Sequence, residues 1–133
     1  MNPKNLENMI YGIGIDTENV GRVERFLAKH ADFIERVFTQ GEMAAAKKFP
    51  PKKRARFYAS AFAGKEAVMK ALGAGWSAEI EWAEIETPLG DSGTAKLFGS
   101  SARYAEKIGV SRIVLSLSAT SKFVAATAIA EKE

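Results

Sequence analysis

Ile10-Tyr11-Gly12-Ile13-Gly14-Ile15-Asp16 has the length and β-branched content of a strand closed by an acidic residue. Directly behind it Val20, Val23, Phe26 and Leu27 recur at helical spacing, so the chain opens as a strand feeding a helix. A second short helix is expected around Phe33, Ile34, Val37 and Phe38, and Thr39-Gln40-Gly41-Glu42 reads as a capping box that opens a third. Pro50 and Pro51 end it. The main helix is expected from residue 52 to residue 72, because Phe57, Ala61, Met69 and Leu72 fit one helical stripe that Tyr58, Phe62 and Val68 widen. Gly73 is its stop.

Beyond that helix Ile80, Trp82, Ile85 and Leu89 suggest a strand, and Gly90-Asp91-Ser92-Gly93 marks a hairpin turn into a short strand over 94–98. Ser100 or Ser101 can cap a helix that runs to Ile108 and closes at Gly109. Residues 113–117 and 123–129 then read as two apolar strands that pair antiparallel. Strands and helices cluster rather than alternate. The expected class is therefore α+β, a mainly antiparallel sheet packed against one long helix and shorter helices.

The bulk properties narrow the function. A chain of 133 residues makes one domain, and 47% apolar with 26% charged residues is a globular composition. No apolar run approaches the ~20 residues of a membrane span. Residues 1–8 are polar and read as a flexible leader, with a single domain over 9–133 and a cytoplasmic address as the default. Cysteine is absent, which removes thiolate nucleophiles and zinc-thiolate sites together. With one histidine, His30, a histidine-pair metal site is impossible within one chain, and His30 itself suits the end of the first helix.

What remains for chemistry is hard oxygen ligands and amines. Asp16 after a strand is a good helix N-cap, and Glu66 with Lys70 is an ordinary (i, i+4) ion pair. Yet Ala59, Ala63, Glu66, Ala67 and Lys70 form a stripe of mostly small side chains beside the apolar face, open to another backbone or a ligand. If strand one ends there, Asp16 and Glu66 reach one hard divalent cation, best Mg2+, whose other positions go to water and phosphate oxygens. Lys47, Lys48, Lys52, Lys53, Arg54 and Arg56 bunch without an acid around Pro50-Pro51. Such a run is a solvated face or a polyanion contact; without interleaved aromatics, nucleic acid is the weaker partner.

These residues carry a resemblance. GIGID ending at Asp16, FTQGEM before the third helix, FAGKEAVMK ending at Lys70, KALGAG, and the terminal LSLSATSKFVAATAIA resemble, in order and spacing, the 4'-phosphopantetheinyl transferase superfamily in its short bacterial type. The likeness covers almost the whole chain and places the usual start at Met9. It implies transfer of 4'-phosphopantetheine from coenzyme A to a serine of apo acyl carrier protein, with release of adenosine 3',5'-bisphosphate. Carried over residue by residue, Asp16 and Glu66 become Mg2+ ligands and Lys70 contacts the transferred phosphate. Lys65 adds positive potential, and the base lies between Glu66 and a water molecule.

The resemblance further implies that the run from Lys52 to Arg56, with Arg54 and Arg56 suited by their planar forks, holds the coenzyme's 3'-phosphate, that Gly73 and Gly75 admit the nucleotide, and that Ser118 and Thr120 hold it through the last hairpin. Trp76 and Trp82 read as packing residues. Arg22, Arg25 and Lys29 form a basic ridge on helix one that docks the acidic carrier protein, against the plain alternative of a solvated face with Glu18 and Glu24 as local partners. A homotrimer with sites between subunits is implied as well. Two positions depart from the family pattern: Ala61 stands where many members carry arginine, and Ala119 where many carry histidine, both near coenzyme A. They motivate the alternative of a non-catalytic module that binds coenzyme A or the carrier protein.

Overall fold

The first strand runs past the carboxylate expected to end it. In the computed structural model, which describes residues 9–74, 79–89 and 92–133, β1 (Met9–Asn19) continues through Asp16 to Asn19. Asn19 takes the capping role that Asp16 was a candidate for: its side chain accepts the Arg22 N–H at 2.9 Å and opens α1 (Val20–Lys29). His30 closes α1 as expected, with its ring 4.5 Å from that of Phe26. The leader 1–8, Gly75, Trp76, Gly90 and Asp91 lie outside the described residues.

Two short helices, α2 (Ala31–Val37) and α3 (Gln40–Ala46), lead to the long α4 (Pro51–Leu72). The capping box at α3 is formed in both directions, with the Thr39 side chain accepting from the Glu42 N–H and Glu42 accepting from the Thr39 N–H. Gly73 ends α4 in the left-handed region, at φ 73°, where glycine carries no Cβ penalty.

The stretch after α4 departs from the sequence reading. In place of a strand spanning 80–89 there is a 3-10 turn (Trp82–Glu84) and a two-residue β2 (Ile85–Glu86). The side chain of Lys65 takes the carbonyls of Trp82 and Ile85, so this backbone is held by a side chain rather than by a ladder. The strand expected over 94–98 is split. β3 (Gly93–Thr94) pairs with residues 114–115 of a later strand, and β4 (Lys96–Leu97) pairs with β2, with buried Ala95 between them donating its N–H to the Ile113 carbonyl. Neither Ser100 nor Ser101 caps α5 (Gly99–Lys107) from outside. Both sit in its first turn, and the carboxylate of Glu84 accepts from their N–H and hydroxyl groups.

β5 (Val110–Ala119) and β6 (Phe123–Lys132) pair antiparallel as the sequence suggests. The main sheet has the order β1-β6-β5-β3 with every pair antiparallel, and α4 lies across β1, β6 and β5. This is the α+β architecture expected, with one long helix on one face of the sheet. Among the described residues no helix is long and apolar enough to cross a membrane.

The contact of β1 with α4 sets the rest. Ala59, Ala63, Ala67 and Ala71 recur every fourth residue and are fully or almost fully buried. Opposite them, a Cβ on Gly12 would overlap the Ala71 carbonyl oxygen and one on Gly14 the Ala67 carbonyl oxygen. Small residues on both sides let backbone meet backbone. The opposite face of β1 is open: Ile13 is 55% and Ile15 60% exposed.

Gly14→Ala is therefore expected to destabilise the fold by about 3 kcal/mol, since backbone rather than a mobile side chain must yield. Gly21→Ala should stabilise it by about 0.5 kcal/mol, because that helical position meets only the end of the Arg25 side chain and the Asn19 cap. Denaturant midpoints of the two variants check both signs.

Candidate active site

Strand alternation puts Gly12, Gly14, Asp16 and Glu18 on the face of β1 that meets α4. Because the glycines draw the helix in, the next turn of α4 brings Glu66 and Lys70 beside Asp16. The Lys70 ammonium donates to the Ile15 carbonyl and to Asp16 Oδ1, both at 3.0 Å. Its side chain is 53% exposed while that of Asp16 is 15% exposed, so the amine faces solvent and the carboxylate faces inward. Two of the three ammonium donors are used, and one is left for a ligand.

The carboxylates crowd one another. Asp16 Oδ2 is buried with no hydrogen-bond partner. Burial pushes the Glu66 carboxyl up from its ordinary value and Asp16 adds to the rise, with Lys70 and the Trp82 side chain opposing it. Glu18 is raised to about 7 by burial first and then by Asp16 and Glu66, with Arg22 acting in the opposite direction. Glu18 enters the site because β1 continues beyond Asp16. The two-residue period would have placed it on the same face, but a strand ending at Asp16 hid it.

A hard cation answers this geometry. Asp16, with an orphaned buried oxygen, and Glu66, pushed toward protonation by burial, suit a divalent ion with oxygen preference. Among the described residues no group of three or more acidic or histidine side chains is disposed to enclose a metal by itself. Asp16 and Glu66 thus suit an ion that leaves positions for water and phosphate rather than a closed structural site.

The remaining predicted residues divide. Lys65 does not join the site: its side chain is fully buried and its ammonium lies 2.7 Å from Glu42 Oε1, with burial pulling its pKa down and Glu42 pulling it up. Arg54 is spent on α3, donating to the carbonyls of Ala46 and Phe49. Helical geometry turns its neighbours elsewhere. Lys53 and Arg56 line a pocket of about 280 Å³ with Phe49, Phe57 and Ser118, and Ala61 and Ala119, the two departures, line it as well. Thr120 is not in its wall; it holds the β5–β6 turn through Phe123 and Lys122. Gly73 is a helix stop. Arg22, Arg25 and Lys29 are exposed along α1 together with Phe26. Lys53 belongs to the basic run expected to meet a phosphate, whereas Phe49 was overlooked as a pocket residue, since an aromatic before two prolines carries no such signal.

Comparison with known proteins identifies the family. The model of the 4'-phosphopantetheinyl transferase superfamily matches residues 12–128. A holo-[acyl-carrier-protein] synthase of Solibacter usitatus is 41% identical over 128 residues, covering 92% of this chain and 99% of its own. The crystal structure of the holo-[acyl-carrier-protein] synthase from Neisseria meningitidis superposes with a TM-score of 0.83 at 31% identity, covering 93% of this chain and 100% of that one. That of the Bacillus anthracis synthase, solved in complex with CoA (3',5'-ADP), gives 0.75 at 29% identity over 94% and 99%. On these grounds the chain belongs to the 4'-phosphopantetheinyl transferase superfamily, among its holo-[acyl-carrier-protein] synthases.

Proposed function

We propose that this chain transfers 4'-phosphopantetheine from coenzyme A to a serine of apo acyl carrier protein in a Mg2+-dependent reaction. The observation that carries the reading is the junction of β1 and α4, where Asp16, Glu66 and Lys70 converge around an orphaned carboxylate oxygen. Asp16 and Glu66 are the residues that hold the ion. When bound, Mg2+ neutralises charge on the pyrophosphate of the donor.

The chain's own groups supply the rest. Lys70, anchored by Ile15 and Asp16, offers its remaining N–H to the phosphate oxygens on which charge redistributes. The carrier serine oxygen bonds to the β-phosphorus as the bond to adenosine 3',5'-bisphosphate breaks. Glu66 or a water molecule in the site accepts the serine proton. Lys53 and Arg56 give the pocket the charge for the nucleotide's phosphates, and Phe49 and Phe57, with ring centroids 5.4 Å apart, give it an apolar wall. Ser60 of that wall stands about 9 Å along the helix axis from Glu66, a span the donor bridges.

Docking of the carrier falls to the exposed ridge of Arg22, Arg25 and Lys29 on α1, which begins where β1 delivers the carboxylates. The outer sheet face, with Ile13 and Ile15 open to water, supports assembly of copies of the chain, taken here as a homotrimer. We place the protein in the cytoplasm, where coenzyme A and carrier protein are found. The alanines at 61 and 119 favour one second reading, a module that binds coenzyme A without transfer.

Intact mass of an apo carrier protein incubated with the chain, coenzyme A and Mg2+ should rise by one phosphopantetheine. Asp16→Ala and Glu66→Ala should each lower the rate about 100-fold or more, with Lys70→Ala close behind. Binding of coenzyme A with no mass gain on several carriers would establish the module instead. A monomeric mass by light scattering would overturn the trimer.

Stability should follow pH with a defined sign. The folded chain keeps the Glu18 proton to about pH 7, whereas an unfolded chain releases it near the ordinary value of 4.5. Between these values the native state binds more protons, so stability of the metal-free protein falls as pH rises through that window and levels off above it. Glu18 is only partly buried and solvent screens it, so the effect on the melting temperature is on the order of a few degrees. Melts at about pH 5.5 and about pH 7.5 should show the fall in chelator, and its reduction both in millimolar Mg2+ and in Glu18→Gln, where the raised Glu66 still contributes.

A further inference from the structure

We infer that Lys65, paired with Glu42, is a positioning residue for the transfer reaction, tying the turn of α4 that carries Glu66 to the segment whose Thr87 walls the nucleotide pocket. This rests on the site proposed above. Lys65 touches no ligand in that site, because each of its three donors is engaged: Glu42 Oε1 at 2.7 Å, the Trp82 carbonyl at 2.9 Å, and the Ile85 carbonyl. Glu42 is equally committed. Its Oε1 also accepts the Thr39 N–H at 2.9 Å, and its Oε2 accepts the Thr87 N–H at 2.9 Å and the Thr87 hydroxyl at 2.8 Å.

Stability alone does not call for such a pair. Taking two charges out of water is costly, and well-packed apolar side chains of similar volume serve a core as well or better. What an apolar pair lacks is direction. The network fixes the rotation of α4 at the residue just before Glu66, and a change there swings that carboxylate away from Asp16. At its other end it fixes Thr87, which lines the pocket beside Pro88. A Cβ on Gly64 would meet the Thr87 methyl and Leu115, so the helix also abuts this wall directly. One buried network thus braces the carboxylate turn and the pocket wall from behind.

The test is the double variant Glu42→Gln/Lys65→Met, which removes both charges at similar volume. It should fold with a melting temperature lowered by several degrees, since the Trp82 and Ile85 carbonyls lose a donor, while the KM for coenzyme A and the Kd for Mn2+, read by calorimetry without turnover, each rise about tenfold. A folded double variant with parental KM and Mn2+ affinity overturns the inference and leaves the site reading intact. A parent protein that binds neither Mn2+ nor coenzyme A overturns the site reading, and this inference with it. Should the double variant not fold, hydrogen exchange on the parent decides. Coupling is reciprocal, so coenzyme A with Mn2+ should slow exchange at the Thr39 N–H, which donates to Glu42. Unchanged exchange at Thr39 overturns the inference.

Discussion

The structure hangs on one close approach, the backbone of β1 against the backbone of α4. It needs Gly12 and Gly14 on the strand and alanines at every fourth position on the helix, because a single Cβ on the strand side would sit on a helix carbonyl. Dispersion between surfaces this close is gained along the whole contact, and it ends where the side chains stop being small. There, Asp16 and Glu18 on the strand face Glu66 and Lys70 on the helix. Packing thereby determines where charge is concentrated: Glu18 and Glu66 bear the consequence as raised proton affinity, and Asp16 as an unpartnered oxygen.

Much of this was legible in the residues. The capping box at Thr39, the glycine exit of α4, and the apolar runs of β5 and β6 are local signals with local causes, and the structure honours them; Pro51, expected to end α3, instead opens α4. The stripe of small residues on α4 also announced a close neighbour, though not which one. Elements whose cause is remote were harder. The turn at Trp82–Glu84 follows from a lysine side chain in α4 that takes its carbonyls, and the start of α5 follows from Glu84 rather than from its own serines. Neither partner lies within the window a periodicity argument can see.

The site was legible in the same measure. Asp16, Glu66 and Lys70 converge as their spacing and the family resemblance suggested, because an (i, i+4) pair on a helix and a strand residue can be brought together by one contact. Adjacent charges in a helix were the obstacle. Lys65 beside Glu66, and Arg54 between Lys53 and Arg56, look alike in a sequence yet point about 100° apart for each step along the helix, so one joins a pocket while its neighbour serves the scaffold. A basic run on a helix is several populations of side chains, and only packing sorts them.

The strand β1 carries two sets of residues that never face each other. Positions 12, 14, 16 and 18 look toward α4, while 13 and 15 look outward and pair across the sheet with Ile129 and Thr127. Parity along one short segment therefore keeps two kinds of evolutionary change apart. Drift at the outward positions can remodel the exposed sheet face while the inward carboxylates stay fixed, and an insertion of a single residue within the paired stretch would exchange the two sets at once. Substitution can reshape the outer face freely, but a change of length here cannot spare the inner one.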